Sequence, residues 1–235
     1  FRVRKLHPLA TRDGSLDTKT RVKEHGNLLW VDPSKAYFSS RLSNQRIETL
    51  ATAKRLHKRL GRSIVVADPY AGIGPSMGVL LSEPALICGY LLGDLNPDAV
   101  ELLALNIDYF SSRRKGTEGV PLQPLQPAKI HCKDAFEWAE DSSNCGQCDL
   151  VLVNLPHQSI SHLAALLPLL RRDQTSVIRG WAIIERSQHE ECERTIVETI
   201  SSKGGTIEEL SFTEVKGFST TKSFMCFEAW INMST

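Results

Sequence analysis

The sequence predicts an α/β fold: a parallel sheet with helices on both faces, finished by an antiparallel hairpin and preceded by a small β-rich domain. Three observations point there. From residue 64 to residue 202, apolar runs of strand composition alternate with segments of helical periodicity. Successive apolar runs end in an acid with a glycine turn, in a second acid, in a third, and in an Asn-Leu-Pro step. The last two strand-like runs, 206–215 and 224–231, are joined only by a loop containing Gly217. That loop is too short for a crossover helix, so the two runs must pair antiparallel.

Residues 1–43 read as irregular and β-like, with short strand candidates at 27–32 and 36–38. Between 44 and 60, Ile47, Leu50, Ala51, Ala53, Leu56 and Leu60 share one helical face, and Gly61 closes the helix. Residues 1–43 therefore form the expected small domain, 44–62 a connecting helix, and 63–235 the larger domain. In the latter, strands are expected at 64–67, 86–93, 130–132, 150–153 and 177–184. Helices are expected at 76–82, 97–109, 135–139, 160–170 and 189–202. Residues 122–127, rich in proline and glutamine, read as a loop insertion.

A chain of 235 residues, 41% hydrophobic and 23% charged, has the composition of a soluble globular protein. No apolar run reaches the ~20 residues that span a bilayer, and no signal pattern opens the chain. It begins on Phe1 rather than Met, so a longer natural chain is expected. The six cysteines are scattered, several in apolar runs, which suits reduced thiols and a cytoplasmic setting; an organellar or nuclear one stays open. A net charge of +1 excludes a strong global basic field. Two local clusters, Lys54 to Arg62 and Arg113-Arg114-Lys115, suit either phosphate contact or a solvated surface.

The chemistry concentrates at the strand ends. The first strand runs into Asp68-Pro69-Tyr70-Ala71-Gly72-Ile73-Gly74-Pro75, where glycines let a ligand approach the backbone. The second ends in Asp94-Leu95-Asn96-Pro97, whose carboxylate can accept both hydroxyls of a ribose. Asp134 follows the third and can accept from an adenine amino group; Asn154-Leu155-Pro156 follows the fourth. In an open α/β sheet these ends line one edge, where ligands bind. Each acid also has a structural reading: Asp68 as a turn residue, Asp94 and Asp134 as helix caps. Met77 occupies the third glycine position of a dinucleotide fingerprint. The phosphate seat is thus incomplete, and the expected cofactor is S-adenosylmethionine, which has no phosphate. A parallel sheet ended by an antiparallel hairpin is the Rossmann-like architecture of class I methyltransferases.

Glu24-His25-Gly26, Val31-Asp32, Tyr37-Phe38-Ser39-Ser40-Arg41-Leu42, Ala71-Gly72-Ile73-Gly74-Pro75, Asp94-Leu95-Asn96-Pro97 and Asn154-Leu155-Pro156 occur in this order. With them the chain resembles the archaeal and eukaryotic type of tRNA (guanine-37-N1)-methyltransferase, including the related transferases of wybutosine biosynthesis. The resemblance runs from about Arg2 to the C-terminus and omits the family's N-terminal tRNA-gripping domain. It implies methyl transfer from S-adenosylmethionine to N1 of guanosine 37 in tRNA. That nitrogen must lose a proton, so the chemistry needs a base, and the nucleobase must leave its stack. The resemblance also implies that Asn154 and the backbone to Pro156 hold the guanine edge, and that Arg4 stabilises charge on guanine O6. It places Tyr70, Leu95 and Asn96 with the cofactor and Arg41 and Arg46 with the substrate.

One departure matters. The family's glutamate, read as the general base, aligns with Gln45, and a carboxamide cannot take a proton. Three expectations follow: a base relocated to Glu48 or Glu24, another acceptor or a slow reaction, or a non-catalytic RNA-binding homologue. Aminocarboxypropyl transfer, as in the wybutosine relatives, is the rival use of the same cofactor. His157 reads as a substrate contact, as an acid-base group or as a surface-loop histidine, and Lys216 in the last hairpin as an overhanging substrate contact or ordinary loop polarity. Cys145-x-x-Cys148 has no second pair nearby, so no metal is expected. No membrane partner is expected, and the oligomeric state is open, with a monomer as the working expectation.

Overall fold

The computed structural model describes residues 6, 14, 17–116, 122–172 and 174–234. Strands β1 (Thr20–Glu24) and β2 (Asn27–Val31) form an antiparallel hairpin. Its two-residue turn, His25-Gly26, takes positive φ at both positions (47° and 81°), the twist that such tight hairpins need. β1 was not legible in the sequence: it is short, polar and mostly exposed, so no buried face marks its period. The expected strand at 36–38 is instead an irregular segment. The N–H groups of Lys35 and Ala36 both bond Asp32 O, and this turn diverts the chain from the hairpin.

The second sheet has seven strands: β3 (Ile64–Asp68), β4 (Ile87–Gly93), β5 (Ala128–His131), β6 (Leu150–Val153), β7 (Ser176–Glu185), β8 (Gly205–Gly217) and β9 (Lys222–Met233). Their spatial order is β5-β4-β3-β6-β7-β9-β8. β3 to β7 pair in parallel, and β9 enters antiparallel between β7 and β8. The order reverses direction at β3, the switch point where open α/β sheets bind ligands. The expected parallel sheet with its antiparallel terminal hairpin is therefore present.

Side chains alternate between two cores, as the pleat requires. Ile64, Val66, Leu150 and Leu152 pack under α1 (Ser43–Leu60), α2 (Pro75–Ser82) and α3 (Pro97–Ser112). Val65, Ala67, Val151 and Val153 pack on the other face, under α4 (Ser159–Leu166) and α5 (His189–Ser202). The helix expected at 135–139 is a 3₁₀ helix, Ala135–Glu140, and the one expected at 160–170 stops at Leu166, followed by a 3₁₀ turn containing Pro168. Helix α1 departs from the purely apolar face read in the sequence. Ile47 is exposed, whereas Arg46, Thr49 and Thr52 are buried beside Ala53 and Leu56.

The hairpin shares the first core through Leu29 and Val31. Asn106, fully buried on α3, accepts from Trp30 N–H at 2.7 Å and donates to Trp30 O and Ile73 O. One side chain thus fixes the hairpin and the glycine turn after β3 to the same helix.

Candidate functional site

A cavity of about 760 Å³ opens at the C-terminal ends of the parallel strands. One wall is the turn after β3. Ala71 N–H donates to Gly93 O at 2.9 Å, and Gly74 N–H donates to Ala71 O at 2.8 Å. Gly72 and Gly74 have φ of +56° and +81°, which residues with a Cβ rarely adopt. Asp94, at the end of β4, faces this turn: Oδ2 accepts from Gly72 N–H at 3.0 Å and Oδ1 from Asn96 N–H at 2.9 Å. Burial raises the Asp94 pKa, and these N–H groups pull against it. Asn96 caps α3 by accepting from Asp98 N–H, while its amide donates to Lys35 O in the segment after the hairpin.

The opposite wall comes from β5, β6 and β7. Asp134 accepts from Phe136 N–H and so starts the 3₁₀ helix, the capping role weighed for it above, while also lining the cavity. Asn154-Leu155-Pro156 follows β6, and Pro156 O accepts from Ile183 N–H at 2.7 Å, which seats this loop on β7. Tyr70 OH and His162 Nδ1 lie 2.5 Å apart; burial raises the first pKa and lowers the second, so both groups are neutral near pH 7. Ala71, Pro75, Leu95, Arg41, His157 and Lys216 also line the cavity. Phe218, exposed on the β8–β9 loop, meets His157 edge-on at 6.3 Å.

Four of the expected site residues lie elsewhere or play another part. Asp68 is buried behind the wall rather than on it, with Oδ1 accepting from Tyr70 N–H, the turn role weighed for it above. Gly74 is behind the wall too: a Cβ there would stand 2.5 Å from Leu103 Cδ1. Arg46 lines the cavity, but its guanidinium is committed to Glu24 and to Ser39 O. Gln45 lines a small adjoining cavity with Asn154, Ser76 and Trp181. Arg4 lies outside the described residues. Of the two candidates for a relocated base, Glu24 is ion-paired with Arg46, and Glu48 is exposed and lines neither cavity.

Trp181 and Arg179 bond Gln45, and Glu228 pairs with Arg179; none of the three is marked in the sequence, because each sits inside a strand with no motif around it. The Glu228 in the middle of the apolar β9 run was the available signal. Among the described residues, no group of His, Cys, Asp and Glu is arranged to hold a metal, and no helix is long and apolar enough to cross a membrane.

Residues 20–113 match the TRM5/TYW2 methyltransferase domain. Over 107 residues the chain is 41% identical to tRNA (guanine(37)-N(1))-methyltransferase Trm5b of Methanocaldococcus jannaschii, covering 46% of this chain and 28% of that protein. The chain thus spans less than a third of that relative's length. The structure superposes on aTrm5 solved in complex with tRNALeu with a TM-score of 0.67 at 25% identity, over 99% of this chain and 57% of the other. It superposes on TYW2 of M. jannaschii, solved with AdoMet, with a TM-score of 0.71 at 18% identity, over 93% of this chain and 88% of the other. In sequence over residues 20–113 this chain is similar to the TRM5/TYW2 methyltransferase domain, and its fold is shared with aTrm5 and TYW2 over more than nine tenths of its length.

Proposed function

We propose that this chain is the catalytic part of an S-adenosylmethionine-dependent tRNA methyltransferase acting on N1 of guanosine 37. The observation that carries the reading is the convergence on one cavity of Asp94, Asp134 and Asn154 from three successive strand ends. The donor set suits a sulfonium nucleoside. Asp94 is oriented by Gly72 and Asn96 N–H, which leaves its outer lone pairs for ribose hydroxyls. Asp134 suits an exocyclic amine, and two carboxylates favour a cation. When bound, that cofactor supplies an electrophilic methyl group.

The rest of the cavity suits a nucleotide. Arg41, Lys133 and Lys216 line it as phosphate-compatible cations, and Tyr37 and Phe218 offer exposed rings. Asn154 offers a carboxamide for a base edge, on a loop anchored through Pro156 O. The relative named above as Trm5b, and the complex of aTrm5 with tRNALeu, support tRNA as the partner. The small β-rich segment 1–43 belongs on the substrate side in this reading, and free cysteines suit a reducing compartment such as the cytoplasm.

Incubation with guanosine-37 tRNA and methyl-labelled S-adenosylmethionine, followed by nucleoside mass spectrometry, tests the reading. Labelled N1-methylguanosine at position 37 is expected. A product heavier by an aminocarboxypropyl group assigns the chain to the wybutosine branch instead. Cofactor binding with no modified nucleoside removes the catalytic reading.

A further inference from the structure

The outer face of the β1–β2 hairpin carries a row of cations. Residues of β1 alternate between its two faces: Val22 packs on the first core and Glu24 is buried, whereas Arg21 and Lys23 are exposed. Lys19, exposed just before the strand, joins them. Its Nζ and the Arg21 guanidinium stand 5.3 and 5.0 Å from the centre of the Trp30 ring, which lies opposite Arg21 in the hairpin register. The indole thus gathers two of the three charges on one face. The row is not neutralised. Among the described residues no carboxylate pairs with Lys19, Arg21 or Lys23: Asp17 accepts from Lys19 N–H at 2.9 Å, and Glu24 is turned to Arg46. The two basic clusters that stand out in the sequence differ. Lys54, Arg55, Arg59 and Arg62 are ion-paired with Glu83, Glu209, Glu208 and Asp149, and Arg114 donates to Ile87 O and Gln123 O.

We propose that this hairpin face grips the phosphate backbone of the RNA stem whose loop enters the cavity, through Lys19, Arg21 and Lys23. The inference deepens the proposed function and rests on its choice of tRNA as substrate. Alternate residues of a strand stand ~7 Å apart, comparable with the step between successive phosphates of one RNA strand, so each cation can meet its own phosphate. The Trp30 ring is already engaged by Lys19 and Arg21, which makes the contact one of charge with backbone and independent of base sequence. The same ring restrains two long side chains before the RNA arrives, which lowers the entropy lost on binding. The position fits. Only residues 32–36 separate β2 from Tyr37 on the cavity wall, ~20 Å at full extension. Asn96, beside Asp94, ties that segment to the cavity edge through Lys35 O. An anticodon stem-loop with one base in the cavity is long enough to lay its stem on the hairpin.

Equilibrium binding of the whole chain to a labelled anticodon stem-loop RNA, read by fluorescence anisotropy from about 50 to about 200 mM KCl, tests this. Each phosphate contact adds about 0.7–0.9 to the slope of log affinity against log salt. Lys19→Gln/Arg21→Gln/Lys23→Gln is expected to lower that slope by about 2–3, so that wild type loses roughly 20–40-fold more affinity than the variant across the range. All three positions are exposed, and unchanged affinity for S-adenosylhomocysteine is expected to show that the fold is intact. Arg194→Gln/Lys203→Gln, exposed on α5 and at its end on the other side of the sheet, is expected to leave the slope unchanged. A triple variant with the wild-type slope overturns the inference. So does an equal fall in the α5 variant, which would make the effect one of net charge. Binding to phosphatidylserine vesicles that the triple variant loses while it keeps its RNA affinity assigns the face to a membrane surface instead. Binding is read without turnover, so the two readings fail separately. A chain that grips RNA through the hairpin yet transfers no methyl group loses the proposed function only; one that methylates tRNA but binds it independently of the three cations loses this inference only.

Discussion

Arg46 and Glu24 form a buried ion pair in which one guanidinium nitrogen stands 2.6 and 2.7 Å from the two carboxylate oxygens. The pair joins α1 to the end of β1, and a second Arg46 nitrogen donates to Ser39 O in the segment that lines the cavity. It fixes the geometry of the cavity mouth and keeps Glu24 from serving as a base. Glu24→Ala strands a buried cation, so a loss of about 3–5 kcal/mol in urea unfolding is expected. Replacing both residues by apolar ones of similar size is expected to recover much of that loss. A single-variant loss below about 1 kcal/mol would show that the pair is solvated, as exposed ion pairs are.

Asp94 is the cavity carboxylate proposed to hold the ribose of the cofactor. Asp94→Ala removes the acceptor for Gly72 and Asn96 N–H along with the partner proposed for the ribose. Calorimetric titration with S-adenosylhomocysteine is expected to show affinity at least tenfold lower, on the order of 1.5–3 kcal/mol for hydrogen bonds to a charged group. Unchanged affinity would place the cofactor elsewhere in the cavity.

Much of the edge was legible because each strand end announces itself locally: an apolar run must stop, and Asp68, Asp94, Asp134 and Asn154 stand where it does. Turn glycines and proline at the first helical position add signals of the same short range. What stayed hidden depends on partners far apart in the chain. Arg179 and Glu228 face each other across β7 and β9. Trp181 reaches Gln45 over 136 positions of sequence. Asn106 clamps a hairpin 76 positions away. Nothing in the neighbours of these residues reports such contacts. The family resemblance marks Gln45 as standing where a base is expected, whereas only the positions of Trp181 and Arg179 show which way its amide faces.

Gly74 carries a packing requirement as well as a turn. Its φ is +81°, and an added Cβ would overlap Leu103 Cδ1 on α3 at 2.5 Å. Gly74→Ala therefore combines left-handed backbone strain with overpacking, and a loss of about 2–4 kcal/mol is expected. Trimming Leu103 in the same chain is expected to return the packing part but not the backbone part. Thermal unfolding of the single and double variants measures both; equal stability of Gly74→Ala and wild type would exclude the tight contact.

Asp68 gives the fold a pH dependence of unusual sign. It is buried, and desolvation pushes its pKa up to about 7, with the Tyr70 N–H opposing and the charge of Asp94 adding to the rise. In the unfolded chain the group titrates near the ordinary value of about 3.9. Between those values the folded state holds the proton and the unfolded state does not. This group's contribution to stability therefore falls as pH rises from about 4 to about 7 and is level beyond. Asp68→Asn stays neutral throughout. Its stability relative to wild type is expected to climb across that window by an amount on the order of 2–4 kcal/mol and then flatten. Urea unfolding of both proteins at several pH values reads the difference directly, because every other titrating group is common to the two. A difference that does not vary with pH would mean that Asp68 is ionised in the folded protein, stabilised by Arg46 and the Tyr70 N–H more strongly than burial opposes.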